Sequence, residues 1–159
     1  MTVADLAAVE AIAEAVHVDF PEDAAVVAER LALFPDGCRI AEDDAGPLGY
    51  CVAHPWRLEQ VPPLDTLLGA IPADADCFYI HDVAILPRGR RGGLGSTLCA
   101  MLLDVARRHG LRQLALTAVS GSGPFWRRNG FAVVESTTLA DKLRGYGDGA
   151  IYMTRPVDP

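Results

Sequence analysis

One stretch of this chain concentrates the residue types that do chemistry. From Phe78 to Leu86 it reads as an apolar strand carrying Tyr79, His81 and Asp82, and Pro87 ends it. Arg88-Gly89-Arg90-Arg91-Gly92-Gly93-Leu94-Gly95 follows at once. That run leads into a helix whose buried face is marked by Leu94, Leu98, Met101, Leu102 and Val105, and Gly110 closes it. A strand that passes through glycines into a helix is suited to hold phosphate. Glycines let backbone N–H groups crowd an anion, and the helix N-terminus adds about half a positive charge. Two standard nucleotide loops are excluded. A Walker A loop needs a lysine, and the single lysine is the distant Lys142, while Gly93-Leu94-Gly95 is followed three places later by Leu98 and not by the glycine of a dinucleotide fingerprint. A plain strand-to-helix turn with solvated arginines is the alternative. Strict alternation on the strand puts Tyr79, His81 and Val83 on one face and Ile80, Asp82 and Ala84 on the other.

The elements that position these groups can be read from periodicity. Leu6, Val9, Ile12 and Val16 behind Thr2 and Asp5 form one face of a helix. A second helix is expected from about Pro21, with Pro21, Glu22 and Asp23 as an acidic start, Val27, Leu31 and Phe34 as its stripe, and Pro35-Asp36-Gly37 as its stop. Cys38 to Glu42 and Leu48 to Ala53 flank a turn-rich Asp43-Asp44-Ala45-Gly46 and read as a hairpin. Prolines break the signal from His54 to Asp76, which reads as a loop-rich crossing with one helical turn at Leu64 to Leu68. Leu114 to Val119 is a strand. Ser122 reads as an N-cap before Pro124 and a short helix ending at Gly130. Phe131 to Glu135 and Ala150 to Thr154 close the chain as strands, separated by a polar excursion through Lys142 and Tyr146. Helices interspersed among strands predict an α/β (α+β) sandwich with a mixed sheet.

The 159 residues fit a single domain spanning 1–159, and 50% hydrophobic against 22% charged residues supply a packed core. No apolar run approaches the ~20 residues that span a bilayer, so no membrane partner is expected. Asp5, Glu10 and Glu14 stand where a signal peptide needs a basic start, which makes the cytoplasm the expected location. Cys38, Cys51, Cys77 and Cys99 form no C-x-x-C pair, so buried free thiols and no metal are expected. A net charge of −7 disfavours nucleic acid as a partner despite thirteen arginines.

The run from Val83 to Ser96 resembles the acetyl-CoA signature of the GNAT N-acetyltransferase superfamily. Arg90-Arg91-Gly92-Gly93-Leu94-Gly95 fits its Q/R-x-x-G-x-G/A core, and Pro124-Phe125-Trp126-Arg127-Arg128-Asn129-Gly130-Phe131 is similar to its F-Y-x-x-x-G-F segment. The resemblance covers about Ile80 to Phe131. It implies a mixed central sheet flanked by helices in the order αα-ββ-β-α-β-α-ββ, with the family's first strand short or missing ahead of the first helix. It implies acetyl-CoA as co-substrate, without a metal, and a primary amine of a small molecule or peptide as acceptor; a homodimer is compatible with it. The backbone around Val83, Ala84 and Ile85 would pair with the pantetheine arm. N–H groups of Arg91, Gly92, Gly93, Leu94, Gly95 and Ser96 would cradle the pyrophosphate, and a splay between this strand and Leu114 to Val119 would admit the cofactor. Arg88, Arg90 and Arg91 would offset the negative protein as seen by the phosphates.

Acetyl transfer to an amine needs a base, an oxyanion donor and a proton for the leaving thiolate. By the same resemblance His81 is the base, a role that its ordinary pKa near ~6.5 suits. A structural histidine is the alternative there, with Asp82 acting through water as the competing base and Tyr79 lining the acceptor pocket. Trp126 stands where the family has the tyrosine that protonates the thiolate, and an indole has no proton of useful acidity. Tyr146, Tyr152 or solvent would then serve. Phe125, Trp126, Ser120 and Ser122 are expected to contact the cofactor, with core packing and helix capping as the competing uses of Phe125 and Ser122. The missing tyrosine also admits a rival function, a CoA-binding regulatory module with little turnover.

Overall fold

The computed structural model describes residues 1–90, 92–147 and 149–158. Helix α1 (Leu6–Val16) follows a short 3-10 turn at Val3–Asp5, and among the described residues no strand precedes it. Helix α2 (Ala24–Leu33) starts later than its acidic prelude suggested. Asp23 is its N-cap, its Oδ1 accepting from the N–H of Ala25 at 2.8 Å, so Pro21 and Glu22 lie outside the helix. The chain continues through β1 (Cys38–Asp43), β2 (Gly46–Trp56), β3 (Cys77–Ile85), α3 (Leu94–Arg108), β4 (Gln113–Ala118), α4 (Gly123–Arg128), β5 (Ala132–Val133), α5 (Thr137–Leu143) and β6 (Ile151–Pro156). Two elements depart from the sequence reading. Strand β2 runs on through His54 and Pro55, and the polar excursion between the last strands contains a helix, α5.

Six strands form one sheet in the order β1-β2-β3-β4-β6-β5, with β3 and β4 parallel and every other neighbouring pair antiparallel. The mixed sheet flanked by helices is the expected fold class. Helix α3 packs one face, its Leu98, Cys99, Leu102 and Ala106 against Phe78, Ile80, Leu114 and Leu116. Val9, Ile12 and Leu31 of α1 and α2 cover Tyr50, Val52 and Ala84 on the opposite face. On that same face α5 sets Leu139 against Cys77, Tyr79 and Tyr152. Each layer closes an apolar stripe that neither helix nor strand can bury alone.

Residues 57–76 carry no helix or strand, and the turn at Leu64–Asp65 does not become the expected helical one. The segment is nonetheless pinned. The Glu29 carboxylate accepts from the N–H groups of Leu68 and Gly69 at 2.8 Å each, buried Arg30 donates to the carbonyl of Thr66 at 2.8 Å, and Asp65 Oδ1 accepts from the N–H of Asp23 at 2.6 Å.

Two irregularities of β3 matter most. Its register with β2 steps from Val52↔Asp82 to Ala53↔Ile80, so His81 is the extra residue of a bulge. On its other side β3 pairs with β4 only at Phe78↔Leu114, Tyr79↔Ala115 and Ile80↔Leu116. Beyond Ile80 the two parallel strands separate, which leaves an unpaired β3 edge from His81 to Ile85.

Candidate active site

The separation opens a cleft of about 490 Å³ lined by both strands, the end of α1, the start of α3 and the first turn of α4. Val83 and Ile85 line it. Ala84 faces away, into the packing of α1 and α2, so of these three only its backbone belongs to the cleft wall. Below it, Gly93 takes φ +75°, the left-handed region that glycine enters without strain, and helix α3 begins. The first N–H groups of an α-helix have no intrahelical carbonyl, so those of Leu94 and Gly95 are free to bind an anion, whereas that of Ser96 already donates to the Gly93 carbonyl at 3.0 Å. A Cβ on Gly95 would stand 2.7 Å from the Phe125 ring, and a Cβ on Gly92 would meet nothing within 4 Å. Arg90 lines the cleft and donates from Nε to the Ile85 carbonyl at 2.9 Å. Arg88 does not face it. Its guanidinium holds both oxygens of Asp43 at 2.9 Å and the carbonyls of Gly46 and Pro47, which corrects its expected part in offsetting charge. Arg91 lies outside the described residues.

The bulge changes which side chains come together. Strict alternation would have separated His81 from Asp82, but the extra residue turns both toward the side of α1 and α2 and restores Val83 to the side of Ile80. The segment joining α1 to α2 meets them. His81 is almost fully buried, and its Nε2 donates to Glu22 Oε2 at 2.9 Å. The lone pair of the neutral ring is therefore on Nδ1, which is buried and has no partner among the described residues. Burial pulls the Glu22 carboxyl upward, yet the His81 bond and charge and the Asp65 N–H outweigh it and hold the group below its ordinary 4.5. Behind His81, at 6.0 Å between ring centroids, sits the wholly buried His54. Its Nδ1 donates to the Pro55 carbonyl at 3.1 Å, and burial, with the His81 and Arg30 charges, pushes its pKa down to about 3.

Asp82 is not a free base. His17 Nε2 lies 2.7 Å from Oδ1 in an ion-pair contact whose N–H is not aligned for a hydrogen bond, and the Tyr50 hydroxyl donates to Oδ2, so both oxygens are occupied. Burial favours protonation of this carboxyl, but His17 and Tyr50 overcome it and keep the pKa below 3.8. Tyr79 is buried in the sheet, its hydroxyl 3.0 Å from Thr117 Oγ1, and burial raises its pKa far above 10. Thr117 borders the cleft and Tyr79 does not.

Trp126 is 7% exposed and packs edge-on to Phe125 and Phe131, at 4.9 and 5.2 Å between centroids, while Trp126 and Phe125 also form the cleft wall. Ser120 and Ser122 line the cleft as well. Ser122 makes no side-chain cap on α4, contrary to the competing expectation for it. The phenols of Tyr146 and Tyr152 are absorbed elsewhere, donating to the Pro62 carbonyl and accepting from the Glu59 N–H at 3.0 Å respectively. Neither lines the cleft. Sequence reasoning missed His17, Glu22, Tyr50 and His54. Glu22 meets His81 across 59 positions, and no local pattern encodes such a contact.

Among the described residues no cluster of His, Cys, Asp and Glu is placed to hold a metal ion, and no helix is long and apolar enough to cross a membrane. No curated protein sequence is significantly similar to the chain. Solved structures match its fold closely. Ard1 from Thermoplasma volcanium superposes with a TM-score of 0.74 at 16% identity, over 100% of this chain and 95% of that one. A GNAT-like decarboxylase, GphF, in complex with isobutyryl-CoA gives 0.77 at 15% identity, over 99% and 97%. A chain of the NatC complex bound to Gag peptide and CoA gives 0.70 at 18%, over 99% and 93%. The model of the acetyltransferase (GNAT) family matches residues 7–131, from α1 through the glycine turn to the end of α4, and the chain belongs to that family.

Proposed function

We propose that this chain is an acetyl-CoA-dependent N-acetyltransferase acting on a primary amine of a small molecule or peptide, and that it works in the cytoplasm. One observation carries the reading: the open edge of β3 from His81 to Ile85 leads directly into the glycine turn and the free N–H groups of α3. An open edge offers main-chain hydrogen bonds to an extended amide-bearing arm, and the helix start offers an anion site at its end. The two features in that order fit pantetheine followed by pyrophosphate. Acetyl-CoA supplies an activated acyl group there. Val83 and Ile85 would hold the arm, Gly92, Leu94 and Gly95 the phosphates, and Phe125 and Trp126 the apolar wall.

His81 would take the proton of the attacking amine on Nδ1, the nitrogen left without a partner. Glu22 fixes the ring and its tautomer and stabilises the imidazolium that results, while neutral His54 adds no opposing charge behind it. Asp82 is excluded from direct proton abstraction by the Tyr50 hydrogen bond and the His17 ion pair and becomes a positioning carboxylate. The four cysteines are free and buried, which supports a reducing compartment. The test is thiol release from acetyl-CoA across a panel of amines and peptide N-termini. Release that requires an amine supports the reading, and CoA binding without amine-dependent release would favour a regulatory module.

A further inference from the structure

The leaving sulfur needs a proton, and the cleft limits what can give it. Among the described residues lining it, only His17, His81 and Asp82 carry an imidazole or a carboxyl group, the side chains suited to pass a proton. Asp82 is ionised, bonded by Tyr50 and paired with His17, and His81 is committed to receiving the amine proton. Trp126 has only an indole N–H. His17 remains. It follows the last turn of α1, where the helix C-terminus favours a cation, and its Nε2 is 2.7 Å from Asp82 Oδ1. His17 lines the cleft with a side chain that is 22% exposed, and no hydrogen bond to its Nδ1 exists among the described residues, so that nitrogen is not committed to a protein partner.

We propose that His17 is the general acid of this site, delivering its Nδ1 proton to the CoA sulfur. The proposal rests on acetyl-CoA being the co-substrate. As the amine nitrogen bonds to the acetyl carbon, the carbon–sulfur bond breaks and its electron pair goes to sulfur. The His17 Nδ1–H bond breaks and that proton joins the sulfur, while His81 gains the proton lost by the amine. His81 is left protonated and His17 neutral, and exchange with solvent restores both. Asp82, whose second oxygen is held by Tyr50, keeps His17 charged beforehand. The groups facing His17 agree in sign: Asp82 from β3 and Glu22 from the segment before α2 both raise its pKa above 6.5, the former most strongly, against burial. Tyr50 from β2 stays neutral because burial and the Asp82 charge keep its proton on. Glu14, on α1 itself, lines the adjoining groove beside His17 and adds negative charge there.

The test titrates the thiol of bound CoA by its thiolate absorbance, with desulfo-CoA as the blank and calorimetry as the check on binding. The protein's own thiols are silent below pH 10, since burial pushes Cys38 and Cys99 up to about 11, Cys77 to about 12 and Cys51 higher still. A charge beside the sulfur that persists through the thiol titration lowers the thiol pKa by about one unit relative to free CoA. That shift is expected in His17→Lys, whose ammonium stays charged, and is absent in His17→Gln, with CoA affinity unchanged between them. In turnover, His17→Gln removes the basic limb of the kcat profile. The same bound-thiol pKa in His17→Lys and His17→Gln at equal CoA affinity, or a basic limb of the kcat profile that survives in His17→Gln, overturns the assignment. Absence of CoA binding to the wild type overturns the co-substrate reading beneath it, and calorimetry alone reveals that outcome.

Discussion

His54 gives the protein an acid-sensitive core whose size can be worked out. The ring is fully buried, its Nε2 has no partner among the described residues, and its pKa is pushed down to about 3 from 6.5. A histidine with a depressed native pKa binds its proton more readily in the unfolded chain, so stability falls as pH drops through the window between those values. At pH 7 the unfolded ring is mostly neutral and the contribution is small. At pH 5 it is mostly protonated, and the loss relative to pH 7 is about 2 kcal/mol from this residue alone. For a domain of this length that corresponds to a fall of about 4–8 °C in Tm. His17 works in the opposite direction. Its raised pKa contributes fully below 6.5 and is lost as pH rises through its native value. The Asp82 contribution is present above 3.8 and fades only as pH falls through its depressed native value, outside this window. The comparison that isolates His54 is therefore the change in Tm between pH 7 and pH 5 for wild type and for His54→Phe, by calorimetry. The variant, whatever its Tm at pH 7, lacks the His54 contribution, so its drop is expected to be smaller by about 4–8 °C. Equal drops would mean that the buried ring accepts a proton in the folded state, against its depressed pKa.

Three further outcomes follow from the cleft. Trp126→Ala leaves a cavity under Phe125 and Phe131 and is expected to cost about 3–5 kcal/mol, whereas Trp126→Phe costs less than about 1.5 kcal/mol and retains most turnover, both read by chemical denaturation and steady-state rates. Loss of turnover in Trp126→Phe at unchanged stability and acetyl-CoA affinity would show the indole N–H at work in the reaction. Gly92→Val meets no neighbouring atom within 4 Å, so it is expected to fold normally yet to lose the thermal stabilisation by acetyl-CoA, which in wild type reaches about 2.7 kcal/mol at a hundredfold excess over Kd. His81→Ala is expected to lower kcat by about 10²–10⁴-fold while calorimetric CoA affinity stays within about twofold, as removal of a base and not of a phosphate contact requires.

Local patterns sufficed for much of the frame. The stripe from Leu6 to Val16 is α1 to the residue, and the run through Gly92, Gly93 and Gly95 does join β3 to α3. Elements failed where tertiary contacts decided them. Pro55 reads as a strand breaker, but β2 continues through it because His54 to Trp56 pair with Cys77 to Tyr79. Glu22 reads as a helix-start acid, and its carboxylate is instead spent on His81 and on the Asp65 N–H. The bulge at His81 left no mark in the sequence, since nothing in Ile80-His81-Asp82 breaks alternation locally. That single inserted residue sets His81 and Asp82 on the same side, so the proton chemistry of the site was the least legible part.

Transfer of acetyl from acetyl-CoA to an amine with His81 as base can be followed directly. The direct measurement uses acetyl-CoA labelled in the acetyl group and follows, by mass spectrometry, label in amines and peptide N-termini alongside free CoA thiol, between pH 6 and 9, for wild type and His81→Ala. Labelled amide is expected to form in step with thiol in the wild type and about a hundredfold or more slowly in the variant. Bound acetyl-CoA that yields no labelled amide with any amine, or labelled amide formed equally fast by His81→Ala, would contradict it.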